Sequence, residues 1–276
     1  MQPAGPQTRR RGCHPAGHAL SAPDPLTSRL FSRADLLPGN LAKVRVIAEL
    51  ARRLDSAPDA LEVLDVGCVG PTPFNQWRYL FAEYPGRIHL TGIDVRGLDR
   101  ARQAAREEGW PVDLRELSAY EMTALGRTFD VVVSTQVLEH LRRPSTFLEQ
   151  LARVLRPGGT AYVTLDSGHF HGGHGLRERL RDLLAPVLGE RYHDQGLRRD
   201  EVTRLVGQAG LRVDELRLHN LGPLKGIHNH ELSGGRRDQF LARWWELEDM
   251  LQDDAAFLRD HPDHFRGLYL RIVHGP

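Results

Sequence analysis

Two carboxylates and a broken glycine pattern carry the first chemical signal in the chain. In "EVLDVGCVGPTPFNQW" (residues 62–77), Asp65 and Gly67 close an apolar strand, and Asp94 closes the next one, "RIHLTGID". An acid at the end of a second strand can accept both hydroxyl protons of a ribose, which suits adenosine ligands. A dinucleotide loop needs glycines at the first, third and sixth positions, so that a pyrophosphate rests on bare backbone at a helix N-terminus. Val69, at the third position, breaks that pattern. Asp65 would repel a pyrophosphate but attract, directly or through water, an ammonium or sulfonium group. These residues predict a cationic, phosphate-free adenosine cofactor. A β-branched residue hosts positive φ poorly, so Gly70 is expected to take the turn in place of Val69.

A second group of reactive side chains is rich in histidine. His140 follows a fourth strand, and Asp166 ends a fifth, leading into "SGHFHGGHG" with His169, His171 and His174. His219 and Asn220 end a sixth strand, with His228, His230 and Glu231 soon after. Three readings stand side by side. Carboxylate and imidazole ligands would suit a divalent ion that polarises a hydroxyl. Neutral imidazoles could act as a base or hydrogen-bond an oxygen-rich acceptor. The third reading is a solvated polar loop. The histidine spacing lacks the helical i, i+4 geometry of the better-known zinc pattern, so no metal is assigned. His140 and His169 are the catalytic candidates; Asp166, His171, His174 and His228 are the acceptor-binding ones.

These residues need a scaffold, and the hydrophobic periodicity supplies one. Residues 26–54 read as helical, with Val44, Ile47, Leu50 and Leu54 at helical spacing. Strands then alternate with helices: "EVLDVGC", "RIHLTGID", "VDLRELS", "FDVVVST" and "TAYVTL" separated by helical segments. Thr72 and Pro73 suit the N-cap and first position of a helix running to Tyr84. Apolar-centred strands between helices predict a parallel sheet covered by helices on both faces, with a sixth strand at "LRVDELRL" and a seventh at "GLYLRIVHG". In such a sheet, ligands bind beyond the carboxyl ends of the strands. A segment over 219–266 separates the last two strands. Its helix "RDQFLARWWELEDMLQ" carries Phe240, Trp244, Leu247 and Leu251 on one face, widened by Trp245 and Met250. That face reads as core packing, with an acceptor lid as the functional alternative.

Bulk properties narrow the class. The 276 residues are 40% hydrophobic and 26% charged, with net charge +1, which argues against a nucleic-acid surface. Lys43 and Lys225 are the only lysines, a bias consistent with GC-rich coding. Cys13 and Cys68 form no disulfide framework, so a reducing, cytoplasmic setting is expected. No membrane-length apolar run is present. Residues 1–25 read as a disordered tail and 26–276 as one domain, with 26–54 as a helical cap. A small-molecule acceptor, and a monomer or homodimer, are the expected partners.

Taken together, "VLDVGC", "GID" and "FDVVVSTQVLEHLRRPSTFLEQLARVLRPGGTAYVT" resemble the class I S-adenosylmethionine-dependent methyltransferases, closest to their small-molecule branch. The resemblance covers roughly residues 60–166. It implies a Rossmann-like, seven-stranded, mostly parallel sheet with an antiparallel last strand and helices on both faces, and S-adenosyl-L-methionine as cofactor. By position it makes Asp65, Gly67, Cys68, Val69 and Gly70 cofactor-binding, with the Gly67 and Cys68 backbone at the methionine half, Asp94 at the ribose, and Val95 and Arg96 beside the adenine. It further places Ser118 and Ala119 at the adenine amino group, and Thr135 and Gln136 beside the methionine. Ser118 stands where the family often has an acid. The activity implied is methyl transfer to an oxygen of a sugar or secondary metabolite, with a non-catalytic cofactor-binding protein, an N-methyltransferase or a macromolecule methyltransferase as alternatives.

Overall fold

The computed structural model describes residues 25–70, 74–166, 197–228 and 232–275. Its centre is a seven-stranded sheet of order β3-β2-β1-β4-β5-β7-β6. The strands are β1 (Leu61–Val66), β2 (Ile88–Asp94), β3 (Val112–Glu116), β4 (Phe129–Thr135), β5 (Leu155–Asp166), β6 (Leu211–Leu221) and β7 (Phe265–His274). β1 pairs in parallel with β2 and β4, while β7 runs antiparallel to both β5 and β6. The predicted architecture is therefore the observed one. Apolar strand centres such as Val131, Val132 and Val133 are fully buried because helices cover both faces.

One face carries α1 (Pro25–Ser32), α2 (Leu41–Ser56) and α3 (Arg78–Glu83), built around Ile47, Leu50, Trp77 and Tyr269. The other carries α5 (Pro144–Val154) and α6 (Arg199–Gln208), around Phe147, Leu151, Val202 and Leu270. α4 (Leu98–Glu108) joins β2 to β3, and Gly109 in left-handed conformation ends it. Burying each such apolar side chain stabilises the fold by about 1.5–3 kcal/mol before chain entropy is set against it.

The order of strands creates the site. Between β1 and β4 the chain reverses its direction of travel across the sheet, leaving a crevice at the carboxyl ends. Register sets Val66 opposite Ile93 on one side and Ser134 on the other. Gly67, Asp94 and Thr135 therefore emerge side by side.

Three elements differ from the sequence reading. The helix expected from residue 72 begins only at Arg78, and Phe74 before it has φ of 58°. The intervening turn brings Gln76 and Trp77 to Asp65, a tertiary demand that local helix preference does not encode. Thr72 and Pro73 lie outside the described residues. β5 is longer than "TAYVTL", taking in "LRPGG" from Leu155 through a bulge opposite β4. Between β6 and β7, α7 (Gly222–Gly226), α8 (Gly235–Gln252) and α9 (Ala255–Asp260) fill a segment shorter than 219–266, because His219 and Asn220 belong to β6.

The buried face of α8 is also rotated from expectation. Leu241, Trp244, Trp245 and Glu248 point inward, whereas Leu247 and Met250 are exposed. The cause is a carboxylate. Glu248 is fully buried and accepts from His219 Nδ1 (3.1 Å), Trp244 Nε1 (2.6 Å), Asn220 N (3.0 Å) and Leu221 N (2.6 Å). Four donors offset its desolvation and fix α8 to the end of β6. Burial likewise holds the His219 pKa below its usual value.

Candidate active site

A cleft of about 570 Å³ opens at the carboxyl ends of β1, β2, β4 and β5. Ligand sites for drug-sized molecules have this order of volume. Of the residues singled out from sequence, Gly67, Val69, Gly70, Asp94, Val95, Arg96, Ser118, Ala119, Thr135, Gln136, His140 and Asp166 all line it.

The glycine loop solves its turn differently from the expectation. Gly67, not Gly70, takes the left-handed conformation, with φ of 76°. A Cβ at Gly67 would stand 2.4 Å from Val137 Cγ2, so the position is closed to side chains on two counts. Val69 then keeps ordinary backbone geometry, and its amide donates to Asp94 Oδ2 at 3.2 Å. Val95 N donates to Asp94 Oδ1 at 2.8 Å. The Arg96 amide bonds the same carboxylate, and three donors on its four acceptor sites leave capacity for a ribose hydroxyl. Desolvation raises the Asp94 pKa, while these amides pull it back.

Beyond Asp94, Val95 is 53% exposed, an apolar residue left open beside Leu117, Ala119, Tyr120 and Leu141 in the cleft wall. That surface suits a purine face. Ser118 Oγ accepts from Tyr120 N at 3.2 Å, which tightens this turn and leaves one lone pair for a ligand amino group. The ribose acceptor and the apolar shelf together fit an adenosyl group.

Asp65 and Cys68 do not line the cleft. Asp65 is fully buried behind it, with Oδ2 accepting from Trp77 Nε1 (2.7 Å) and Gln76 Nε2 (3.1 Å). Its carboxyl is pushed up to about 6, chiefly by burial. Its influence on a cationic ligand is therefore that of a charge behind the wall, not a direct contact. Cys68 is 2% exposed and faces Gly92 of β2; its amide, like that of Gly67, is directed at Ile93 O. Burial raises its thiol pKa far above the usual value.

At the other end, Gln136 holds φ of 58° while its amide donates to Thr164 O at 2.8 Å. This strained turn sends Gln136 Nε2 to Asp166 Oδ2 at 3.1 Å. The same oxygen pairs with Lys225 Nζ at 3.1 Å. Glu139, buried beneath, accepts from Asp166 N at 2.9 Å. His140 and Asp166 thus share one polar end of the cleft with Gln136 and Glu139.

His228 is elsewhere. It is 2% exposed, with its ring 5.7 Å from Trp244 and 6.3 Å from Phe240, and does not reach the cleft. Its expected acceptor contact is replaced by aromatic packing. None of the described residues of α7–α9 lines the cleft, so the lid reading of Trp244 and Trp245 gives way to core packing. His169, His171, His174, His230 and Glu231 lie outside the described residues. Among the described residues no three His, Cys, Asp or Glu side chains converge as metal ligands. The sequence reading missed Lys43, Tyr120, Val137 and Glu139. Only Lys43, through its rarity, carried a signal.

Comparisons with known proteins agree with this geometry. A methyltransferase-domain family model matches residues 64–163. The ubiquinone biosynthesis O-methyltransferase of Aromatoleum aromaticum is 30% identical over 181 residues, 60% of this chain and 70% of that protein. The enzyme of the same name from Parvibaculum lavamentivorans is 27% identical over 59% of this chain and 64% of its own length. The chain thus spans less than two thirds of some of these relatives, and only 41% of the one from Rhizobium rhizogenes. Among solved structures, a sarcosine dimethylglycine methyltransferase of Galdieria sulphuraria, itself described as putative, superposes with TM-score 0.53 at 11% identity, covering 83% of each chain. The cyclase SpnF gives TM-score 0.53 at 18% identity, over 84% of this chain and 80% of that one. Those two likenesses concern the fold alone.

A switch-point cleft with a forked ribose acceptor and an apolar shelf defines an adenosyl-binding Rossmann-like protein. The chain belongs to the class I S-adenosylmethionine-dependent methyltransferases, and S-adenosyl-L-methionine is its cofactor. No helix among the described residues is long and apolar enough to cross a membrane.

Proposed function

We propose that the protein transfers a methyl group to a hydroxyl oxygen of a small molecule. The observation that carries this is the division of one cleft into two chemically distinct ends. Asp94 and the Val95 shelf form an adenosyl end; Gln136, Glu139, His140 and Asp166 form a polar end. The cofactor, when bound, supplies an electrophilic methyl on a sulfonium. The chain's own contribution is to hold an acceptor in line with it, which can supply much of the rate. Asp65, behind the loop, supplies negative potential toward that cation. Relatives named for ubiquinone biosynthesis support an oxygen acceptor and a small molecule. The near-neutral net charge accords with such an acceptor in preference to a nucleic acid.

Calorimetry with S-adenosylhomocysteine, followed by turnover on a panel of phenols, catechols, sugars and amines, tests the reading. Cofactor binding with methylated hydroxyl product is the expected outcome. Absence of binding would overturn it, and binding without transfer to any hydroxyl would favour a non-catalytic cofactor-binding protein.

A further inference from the structure

Lys43 is one of two lysines in the chain, and both stand at the ligand end of the sheet. Lys225 is paired with Asp166 at 3.1 Å. Lys43 is half-buried, lines the cleft with Glu139, His140 and Asp166, and among the described residues has no carboxylate within ion-pair distance of 4.0 Å. Its backbone is held firmly. Lys43 N donates to the N-cap Asn40 Oδ1 at 3.3 Å, and Asn220 of β6 grips the same turn through Leu41 N at 2.7 Å and Asn40 Oδ1 at 2.8 Å.

We propose that Lys43 is the general base that takes the proton from the acceptor's hydroxyl, an assignment that rests on the reading of the chain as an O-methyltransferase. The hydroxyl proton passes to the lone pair of Lys43 Nζ. The oxygen's electron pair forms the new O–CH3 bond, and the carbon–sulfur bond breaks with its pair retained on sulfur. Such a base has to be neutral before it acts. Asp65 from β1, Glu139 after β4 and Asp166 from β5 favour the ammonium; burial and Lys225 from α7 oppose it, and burial dominates, lowering the Lys43 pKa. A sulfonium in the same cleft adds a further like charge in the same direction. A neutral amine base of this kind suits a neutral, weakly acidic hydroxyl acceptor such as a phenol or catechol.

The scarcity of lysine makes a direct test practical. Reductive 13C-methylation of the full chain places label on Lys43, Lys225 and the N-terminus alone, and Lys43→Arg and Lys225→Arg assign the signals. Without cofactor or acceptor, Lys43 should titrate below the ordinary lysine value, and S-adenosylmethionine should lower it further. A Lys43 titration at or above the ordinary lysine value overturns the assignment. This readout needs no turnover, so it fails independently of the proposed function. With catechol as acceptor, Lys43→Arg keeps the charge but cannot give up its proton. Its kcat should fall roughly 100-fold or more while cofactor affinity changes less than about threefold. 4-Nitrocatechol, already largely ionised at neutral pH, should recover most of that loss. Undiminished turnover by Lys43→Arg, or a kcat/KM limb at imidazole's ordinary pKa that the variant leaves in place, also overturns it. If the wild-type protein leaves catechol unmethylated, the NMR titration decides alone.

Discussion

Asp65→Asn isolates the energetic consequence of the buried carboxyl behind the cofactor loop. The side chain is fully buried, and its pKa stands at about 6 against an ordinary 3.8. Desolvation is the largest cause, opposed by the Trp77 hydrogen bond, the Lys43 charge and the Gln76 hydrogen bond. A folded-state pKa raised in this way means that the folded protein holds the proton more tightly than the unfolded chain. The resulting stability is fully present below the unfolded pKa and is lost as pH rises through about 6. Roughly two pKa units correspond to about 3 kcal/mol lost once both states are ionised. About half of that loss has developed at about pH 5 and nearly all of it at about pH 7.5. Asparagine keeps the volume and an acceptor for Trp77 but does not titrate. The stability of the variant relative to the parent should therefore rise by about 1.5 kcal/mol between those two pH values. Urea unfolding of the ligand-free proteins at both values measures this directly, since all other titrating groups are common to the pair. A relative stability that stays flat, or falls, between the two would refute the reasoning.

Other consequences are open to simpler measurements. Gly67→Ala should lower stability by more than about 1 kcal/mol and weaken S-adenosylhomocysteine binding, since positive φ and the Val137 contact both oppose a Cβ; an unchanged melting temperature would contradict the geometry. Asp94→Ala should weaken S-adenosylhomocysteine binding at least about 10-fold by calorimetry, because hydrogen bonds to a charged group contribute about 1.5–3 kcal/mol; retained affinity would mean the ribose is held elsewhere. Glu248→Ala leaves the His219, Trp244, Asn220 and Leu221 donors without an acceptor, and should cost about 3 kcal/mol or more in urea unfolding. A loss below about 1 kcal/mol would show that water replaces the carboxylate.

Legibility in the sequence followed the range of the determining interaction. The sheet was readable because apolar strand runs and glycine or proline stops are local signals, and Asp94 was readable because strand ends converge in this topology. Asp65 was found, but its direction was not: the position of Trp77 depends on a turn that exists to bring donors to that carboxyl. Glu248 defeated the periodicity of α8, since a buried acid among Leu247, Leu251 and Met250 looks like the solvent side until its four donors are known. His228 was misplaced for the complementary reason, because an imidazole packs among aromatic rings as readily as it lines a polar site. Lys43 lies in a helix remote from every motif, and only tertiary packing carries it to the cleft.

That packing has a consequence for the order in which the molecule is made. The first turn of α2 is tied to Asn220, 179 residues later than Leu41. A nascent chain that has emerged only through β5 already contains Gly67, Asp94 and Thr135, the residues of the adenosyl end. It still lacks the side chain that anchors the wall bearing Lys43. During synthesis the cofactor half of the cleft can therefore be complete while the acceptor half is unfinished, and strands made after β5 are the ones that close it.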